Sequence, residues 1–316
     1  MDDRLPTPRG FLTEFMIDLH THTTLSDGTS SPAELLEEAR HVGLKALAIT
    51  DHDTLAGFDA AYPLAEKHNV ELVCGIELST QFQHPQEPKL AVHLLGYFPG
   101  RLPDDEFRGW LTSISSTRRE RNLKLMEKLQ SSNISISWKD FPDLDPDRVA
   151  RPHFACVLVA KGYVSNFQTA FDLFLDDSIV AGIAPRLPST QEAIKKIKAN
   201  GGFASLAHPM RLRCKRLATP DTIIKELVLK GLDAIEAYHA NHSTEDTGHL
   251  LQIAAELNLL VTGGSDYHGR NKPEIRLGTG RGKNLFLPYR LLECIKERVG
   301  RAQEKTAAET NRSMCH

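Results

Sequence analysis

The stretch Ile17–Thr29 reads IDLHTHTTLSDGT and places three side chains able to bind metal at the end of a short apolar run. These are His20, His22 and Asp27, which fall within eight residues. Imidazole is the commonest protein ligand for transition metals, and carboxylate suits the harder ions among them. In a strand, however, residues i and i+2 face the same side, so the two histidines could equally share a polar surface. The choice depends on whether the rest of the chain supplies further ligands.

The composition is that of an ordinary globular protein. The 316 residues are 41% hydrophobic and 25% charged, so we expect one large or two modest domains. The formal net charge of −3 argues against a basic surface coated with nucleic acid. It leaves open a small nucleotide or a short single strand as substrate, bound in a local pocket.

Cysteine usage and hydropathy predict a cytoplasmic protein that is not embedded in a membrane. No apolar run approaches the length of a membrane span, and the first residues lack the charge order of a signal peptide. None of the cysteines lies in a CxxC pair, which is typical of reduced proteins without a cysteine zinc site. The five are Cys74, Cys156, Cys214, Cys294 and Cys315.

Short apolar strands alternate with amphipathic helices along most of the chain. Ser31 followed by Pro32 predicts a helix start, and Gly43 predicts its end. Repeated strand–helix units indicate an α/β fold whose parallel sheet is closed, or nearly closed, into a barrel. The predicted strands after the first contain KALAIT, VELVCGIEL, KLAVHLLGYF, FASLAHP, LDAIEAYHA and LLVTGGSDYH.

The alternation breaks between residues 102 and 186, where the chain is charged and helix-rich. We predict an inserted, mostly helical subdomain there, with Leu123 among its core positions. The barrel then comprises residues 16–101 and 187–300, preceded by an extension over 1–15. A final helix is expected from about Pro288 to Val299, and residues 301–316, which lack apolar periodicity, are expected to form a loose tail.

In β/α barrels the chemistry lies at the carboxyl ends of the strands. Six further ligand-type residues fall at or near predicted strand ends, and random placement would not put a His, Asp or Glu at nearly every one. We therefore predict a metal centre built from nine residues. The six that join the first three are His52, Glu77, His93, His208, Asp266 and His268.

The motifs DLHTHTTLSDG, AITDHD, GIELS, HLLGY, AHP and GGSDYH together resemble those of the polymerase-and-histidinol-phosphatase (PHP) superfamily. The resemblance covers about residues 16–300 and implies a distorted seven-stranded (β/α)7 barrel with up to three metal ions at its rim. It implies one metal held by His20, His22, Glu77 and Asp266. A second would be held by Glu77, His93 and His208, and a third by Asp27, His52 and His268.

The chemistry of the residues agrees with this assignment. Glu77 is the natural bridging group because a carboxylate can give one oxygen to each of two cations. Some relatives carry histidine where Asp27 stands, and the extra carboxylate favours manganese or iron over zinc at the third site. We expect two to three divalent ions, with manganese first and iron or zinc as alternatives. Asp18, Asp51 and Asp53 adjoin ligand histidines and are expected to be structural partners.

Weaker signals concern the substrate. The element Arg151-Pro152-His153 resembles a substrate-contact segment of the nucleotide-acting branch, so Arg151 would bind phosphate and His153 would contact substrate or relay a proton. A buried ion pair and an internal histidine are the structural alternatives. His242 could protonate the leaving oxygen or could be a loop histidine without a role. The basic cluster Arg118, Arg119 and Arg121 is expected to be solvated.

The sequence therefore predicts a metal-dependent phosphoesterase in which a hydroxide bridging two metals attacks phosphorus. The resemblance implies removal of the 3'-phosphate from 3',5'-bisphosphate nucleosides, 5'→3' exoribonuclease trimming of short RNA, or both. Two alternatives remain open: a histidinol-phosphate phosphatase and an accessory module of a DNA polymerase. Gly263 and Gly264 are expected to permit close backbone packing, since neither belongs to a phosphate-binding loop motif.

Overall fold

Seven strands form one nearly closed sheet. A computed structural model describes residues 16–84, 89–142, 144, 146, 149–176, 187–214 and 218–314, so the predicted extension over 1–15 lies outside it. The strands follow one another in chain order around the sheet. They are β1 (Met16–Asp18), β2 (Leu44–Ile49), β3 (Glu71–Phe82), β4 (Leu90–Tyr97), β5 (Phe203–Leu206), β6 (Ala234–His239) and β7 (Leu260–Gly264).

The sheet is mixed, which corrects the predicted all-parallel barrel. Strand β4 runs antiparallel to both β3 and β5, whereas the other neighbouring pairs are parallel. Only residues 83–89 join β3 to β4. That segment is too short for the crossover that a parallel pair requires, so the chain turns back as a hairpin.

Strands β1 and β7 come together where their chains leave the sheet, and this contact nearly closes the barrel. The Leu19 N–H donates to the Gly263 carbonyl at 3.2 Å, and the Asp266 N–H donates to the His20 carbonyl at 2.9 Å. A Cβ atom on Gly264 would lie 2.4 Å from the His20 backbone nitrogen. Glycine is therefore required here for close backbone approach, as predicted.

Among the described residues, nine helices surround or extend the barrel, and none of them combines the length and apolar character needed to cross a bilayer. Helix α1 begins as predicted: Ser31 Oγ accepts from the Glu34 N–H, Pro32 is its first residue, and Gly43 ends it at φ +80°. The nine are α1 (Pro32–Val42), α2 (Ala56–His68), α3 (Asp105–Ser131), α4 (Arg151–Ala160), α5 (Phe167–Ala170), α6 (Thr190–Ala199), α7 (Pro220–Leu229), α8 (Thr244–Glu256) and α9 (Tyr289–Met314).

Helix α9 is longer than predicted. It was expected to end near Val299, with a loose tail after it, but the backbone stays helical to Met314. Residues 301–314 are rich in Ala, Glu, Gln, Lys and Arg. These residues favour helix without needing an apolar stripe, so the missing periodicity was a poor guide to where the helix ends.

One hydrophobic cluster gathers residues from β1 to β6, such as Ile17, Ala46 and Phe203, together with Leu292 and Ile295 of α9. We place this cluster inside the barrel because nearly every strand contributes to it, with α9 closing one end. Neighbouring strand residues face the other way, as period-two alternation requires. They pack against α6, α7 and α8 in a second, larger cluster.

The segment between β4 and α6 contains most of the predicted insert. The second half of α3 packs with α4 and α5 around a hydrophobic cluster of its own, to which Leu125, Met126 and Leu129 belong. The boundaries given for the insert stay a prediction. Leu123, predicted as core, is 41% exposed, whereas the neighbouring Asn122 is buried. Asn122 donates to the Val149 carbonyl at 2.5 Å, so that face of α3 is fixed by a polar contact.

We predict that Gly264→Ala lowers the free energy of unfolding by about 1–3 kcal/mol, as overpacking typically does. The physical reason is that the new Cβ would collide with the His20 backbone. Gly248→Ala in α8 is the matched control, because a Cβ there meets no atom within 4 Å and alanine favours helix by about 1 kcal/mol. Urea unfolding of both variants measures the difference. Equal midpoints for the two variants would contradict the close packing of β1 and β7.

Candidate metal centre

The nine predicted ligand residues converge at the carboxyl rim of the barrel. His20 and His22 follow β1, His52 follows β2, and Glu77 lies within β3. His208 follows β5, and both Asp266 and His268 follow β7. His93 reaches the same place from the middle of β4, because it pairs in register with Ser79, two residues beyond Glu77.

Glu77 lies at the centre of the cluster, and its two oxygens face different histidines. Oε1 lies 2.8 Å from His93 Nδ1 and 3.0 Å from His208 Nε2. Oε2 lies 3.2–3.3 Å from nitrogens of His20, His22 and His52. The side chain therefore has the geometry expected of a carboxylate shared between two cations.

Two groups of four potential ligands lie around Glu77, which itself belongs to the first group. His20, His22, Glu77 and Asp266 offer atoms that all lie within 4.8 Å of one another, and so do His22, Asp27, His52 and His268. These groups correspond to the first and third predicted sites, with His22 added to the third. His268 Nδ1 donates to the Asp266 carbonyl at 2.8 Å, which leaves its Nε2 lone pair directed at the third group.

The residues fit a metal ion. Six imidazole nitrogens are buried among the described residues without a hydrogen-bond partner, and three of them, His20 Nε2, His22 Nε2 and His52 Nδ1, lie beside Glu77. Such atoms are costly to bury unless something binds them. All three face Glu77, so a divalent cation would satisfy the nitrogens and the carboxylate together.

The ionisation state of Glu77 also fits metal binding. Burial alone would raise the pKa of Glu77, but His52, His93 and His20 outweigh it and hold that pKa well below its usual range. Burial lowers the pKa of both His52 and His208 to about 3. The carboxylate is therefore ionised, which is the form that binds metal.

Strained backbone marks the same strand ends. His208, Asp266 and Asp53 have positive φ angles of 30°, 57° and 56°, in the left-handed region that side chains other than glycine rarely adopt. Such strain persists where the surroundings hold it in place, and it is frequent at functional sites. Here it directs two predicted ligands into the cluster.

Asp18, Asp51 and Asp53 are structural partners, as predicted. Asp18 accepts hydrogen bonds from the Ser265 N–H at 2.9 Å and from its hydroxyl at 2.6 Å, which ties β1 to the segment after β7. Asp51 accepts from the Thr23 N–H at 2.7 Å. Asp53 accepts from the Ser79 N–H at 2.7 Å. Each carboxylate fixes the backbone beside a predicted ligand.

Glu236, which the sequence analysis missed, belongs to the cluster together with His239. Glu236 Oε1 lies 2.8 Å from His20 Nδ1, and its Oε2 accepts the His208 N–H at 2.8 Å. His239 Nε2 lies 3.4 Å from Asp266 Oδ2. The available signal was an acidic residue inside the otherwise apolar strand LDAIEAYH, where a buried charge requires a partner.

Arg118, expected to be solvated, is buried and forms an ion pair with Asp53. The prediction was wrong because α3 crosses the rim and turns that side of the helix inward. Arg119 is exposed, as expected. Arg211 and Lys272, for which no role was predicted, contact Asp266 Oδ2 at 3.2 Å and 2.6 Å.

A cavity of about 800 Å³ lies over the cluster, between the barrel rim and the segment that follows α3. Arg151 lines this cavity, and its guanidinium donates to the Leu175 carbonyl at 3.2 Å. His153 and His242 are not among the lining residues. His153 Nδ1 accepts the Ala150 N–H, and His242 Nδ1 donates to the Ala237 carbonyl behind His239. Contact with substrate by His153 and proton donation by His242 stay predictions.

A β/α barrel that gathers imidazoles and carboxylates at its carboxyl rim beneath a cavity is the architecture of a metal-dependent hydrolase. The chain belongs to the PHP family. The PHP domain matches residues 18–161, and relatives matched over most of their length extend the likeness beyond that range.

Three relatives are hydrolases of phosphate esters. The 5'-3' exoribonuclease of Haemophilus influenzae is 32% identical over 79% of this chain and 89% of its own. The phosphoribosyl 1,2-cyclic phosphate 1,2-diphosphodiesterase of Eggerthella lenta is 30% identical over 80% of this chain and 94% of its own. The 3',5'-nucleoside bisphosphate phosphatase of Chromobacterium violaceum is 29% identical over 80% and 87%.

Two solved structures are similar to this chain in fold. A putative metal-dependent phosphoesterase from Bifidobacterium adolescentis matches 86% of this chain and 92% of its own, with a TM-score of 0.71 and 34% identity. An amidohydrolase from Chromobacterium violaceum, solved with bound sulfate and no metal, matches 88% and 96%, with a TM-score of 0.73 and 28% identity. The fold is thus that of the metal-dependent phosphoesterases of the PHP family.

We predict that Glu236→Gln weakens metal binding tenfold to a hundredfold, the usual range for a group that orients a ligand histidine. The carboxylate accepts from both the His208 N–H and the His20 ring, whereas an amide has one acceptor oxygen. The His20 ring would then turn or change tautomer, and its Nε2 lone pair would no longer be available to a metal ion. Titration of chelator-treated protein with manganese against a metal-binding dye measures the affinity.

Glu66→Gln on the exposed face of α2 is the matched control, since it makes the same chemical change far from the rim. If Glu236→Gln binds manganese as tightly as Glu66→Gln does, Glu236 does not position His20.

Proposed function

We propose that the protein hydrolyses phosphate esters of nucleotides with two to three divalent metal ions. The proposal depends on the position of Glu77. One of its carboxylate oxygens contacts two histidines and the other contacts three, beneath a cavity large enough for a nucleotide. The relatives named above supply the two candidate reactions. These are removal of the 3'-phosphate from 3',5'-bisphosphate nucleosides and trimming of short RNA from its 5' end.

The nine rim residues would hold the metals in the three predicted groups. When bound, divalent cations stabilise negative charge on phosphoryl oxygens and lower the pKa of a water molecule. Manganese is the ion we favour, with iron or zinc as alternatives. The reason is that Asp266 in the first group and Asp27 in the third add carboxylates to that of Glu77, and carboxylates suit the harder ions.

The open side of the centre supports a point of entry for the reacting phosphate. The His93 side chain is 27% exposed and lines the cavity, as does His208, whereas His20 and His22 are fully buried. A phosphate that enters from the cavity therefore meets Glu77, His93 and His208, and the third group of Asp27, His52 and His268, before it meets His20 or His22. The buried His20 and His22 hold the far side of Glu77 away from water.

Cationic side chains on the cavity wall would bind the phosphates that do not react. Among the described residues the wall carries seven Lys and Arg side chains against four acidic ones, three of which belong to the predicted metal centre. Guanidinium groups suit phosphate because their planar fork can donate two parallel hydrogen bonds. The seven are Lys89, Arg118, Arg121, Arg151, Arg211, Arg213 and Lys272.

Arg151 is the member of this set that we assign to a second phosphate. It begins α4 in the segment between β4 and α6, whereas Arg211 and Lys272 contact Asp266, one of the predicted ligands. It can therefore recognise the end of the substrate that does not react. A cytoplasmic location is part of the proposal, supported by the scattered cysteines.

A hydrolysis screen with manganese, which measures both released phosphate and released nucleoside monophosphates, tests the proposed function. It should compare a 3',5'-bisphosphate nucleoside, a short 5'-phosphorylated RNA, histidinol phosphate, a ribose cyclic phosphate and a simple aryl phosphate. We expect the bisphosphate nucleoside or the RNA to have the highest kcat/KM. A preference for histidinol phosphate or for the ribose cyclic phosphate would reject the nucleotide assignment.

The variant Arg151→Ala adds an arm to the same screen. It should raise KM for the bisphosphate nucleoside roughly tenfold to a hundredfold, the equivalent of a charge-assisted hydrogen bond worth about 1.5–3 kcal/mol. The aryl phosphate, which has no second phosphate, should barely change. Arg119→Ala, an exposed arginine on α3 that does not line the cavity, is the matched control. A normal nucleotide KM in a folded Arg151→Ala protein would reject its role.

We predict two to three metal ions per chain, measured by elemental analysis of protein never exposed to chelator. Glu77→Gln should lower the metal content more than Asp27→Asn, because Glu77 contacts five histidines on two sides and Asp27 belongs to one group. Chelator should abolish activity, and manganese should restore it. Equal metal loss in the two variants would contradict the bridging role of Glu77.

A further inference from the structure

Two phenylalanines lie on the wall of the same cavity, away from the metal centre. Phe167 opens α5, and Phe171 begins the single π-helical turn Phe171–Leu175 that follows it. Both line the cavity, and their ring centroids lie 5.1 Å apart with the planes inclined at 35°. They form one aromatic surface, which the metal chemistry does not use.

The two rings have different surroundings. Phe171 packs against the hydrophobic cluster of the insert, so it has a structural role. Phe167 is 39% exposed and belongs to none of the hydrophobic clusters formed by the described residues. A single exposed aromatic side chain is common, but this one faces a cavity and is supported from behind by a second ring.

The aromatic pair also adjoins the proposed phosphate-binding residue. The Arg151 guanidinium carbon lies 6.0 Å from the centroid of the Phe171 ring. Along this wall, therefore, a cation for phosphate and a flat apolar surface stand side by side. A nucleotide presents the same two features, because its charged phosphates and its planar base are joined through the sugar.

We propose that Phe167, held by Phe171, is the surface on which the nucleobase of the substrate stacks. This inference rests on the proposed nucleotide phosphoesterase function and specifies how the substrate is recognised. Stacking on an aromatic ring accepts any base, since every base has a π face. The site would therefore distinguish nucleotides from sugar phosphates while discriminating little among the four bases.

Binding of a reaction product and of its analogue without a base tests the proposal. A nucleoside 5'-monophosphate and ribose 5-phosphate share sugar and phosphate and differ in the base, so each can be measured as an inhibitor of aryl phosphate hydrolysis by the manganese-loaded enzyme. Phe167→Ala should weaken the nucleotide about fivefold to a hundredfold, the range for loss of one stacked base. Ribose 5-phosphate should bind unchanged, and Phe167→Trp should bind the nucleotide at least as well as the native protein.

Leu173→Ala is the matched control, because Leu173 lies in the same segment, is 57% exposed and does not line the cavity. A second readout is independent of activity: a 2-aminopurine nucleotide should lose fluorescence on binding to the native protein, and much less with Phe167→Ala. An equal loss of affinity for the nucleotide and for ribose 5-phosphate, or a nucleotide affinity in Phe167→Ala that matches the Leu173→Ala control, would overturn the stacking role.

The two proposals fail in different ways. If the protein hydrolyses nucleotides but Phe167→Ala changes neither affinity nor fluorescence, the proposed function stands and the stacking surface is rejected. If the protein hydrolyses neither nucleotides nor RNA while quenching still depends on Phe167, the stacking surface stands and the proposed reaction is rejected.

Discussion

The buried carboxylate of Glu77 is the constraint on which the rest of the rim depends. An ionised carboxylate inside a protein is expensive unless charged or polar partners surround it. Five histidines meet that need, and they come from β1, β2, β4 and β5. The reversal of β4 is part of this arrangement, since the antiparallel β4 brings His93 level with Ser79, two residues beyond Glu77. The antiparallel strand that makes the sheet mixed is therefore also the strand that places His93 beside Glu77.

A second layer of acids holds those histidines in place. Glu236 connects His20 to the backbone of His208, and so relates β1 to β5 across the barrel interior. Asp18 performs the same task between β1 and the segment after β7, where Gly264 allows the two chains to meet. These carboxylates make the centre strongly negative. Burial lowers the pKa of His22, yet Asp266, Glu77 and Asp27 raise it to about 9. The same charge that would protonate this histidine attracts a divalent cation.

Much of this architecture could be predicted because barrel chemistry collects at strand ends, and strand ends can be recognised in a sequence. The nine rim residues, the helix start at Ser31 and the close packing at Gly264 all follow from local patterns. What could not be predicted depends on contacts distant in sequence. Whether Arg118 is buried depends on where α3 crosses the rim, and a helix alone does not specify that. Glu236 lies inside a strand, where side-chain direction depends on the register of the whole sheet. The direction of β4 depended on loop length, for which apolar patterning gives no signal.

In the proposed function the barrel supplies the metal ligands and the insert recognises the substrate. Every predicted metal ligand belongs to the barrel, whereas Arg151, Phe167 and Phe171 belong to the segment between β4 and α6. That segment has its own hydrophobic cluster, so its surface can change without disturbing the packing around Glu77. The named relatives act on RNA, on a nucleoside bisphosphate and on a phosphoribosyl cyclic phosphate at about the same identity to this chain. Overall similarity therefore does not separate these substrates. The wall that faces the reacting phosphate can separate them, because a base and a second phosphate need partners that the barrel rim does not provide.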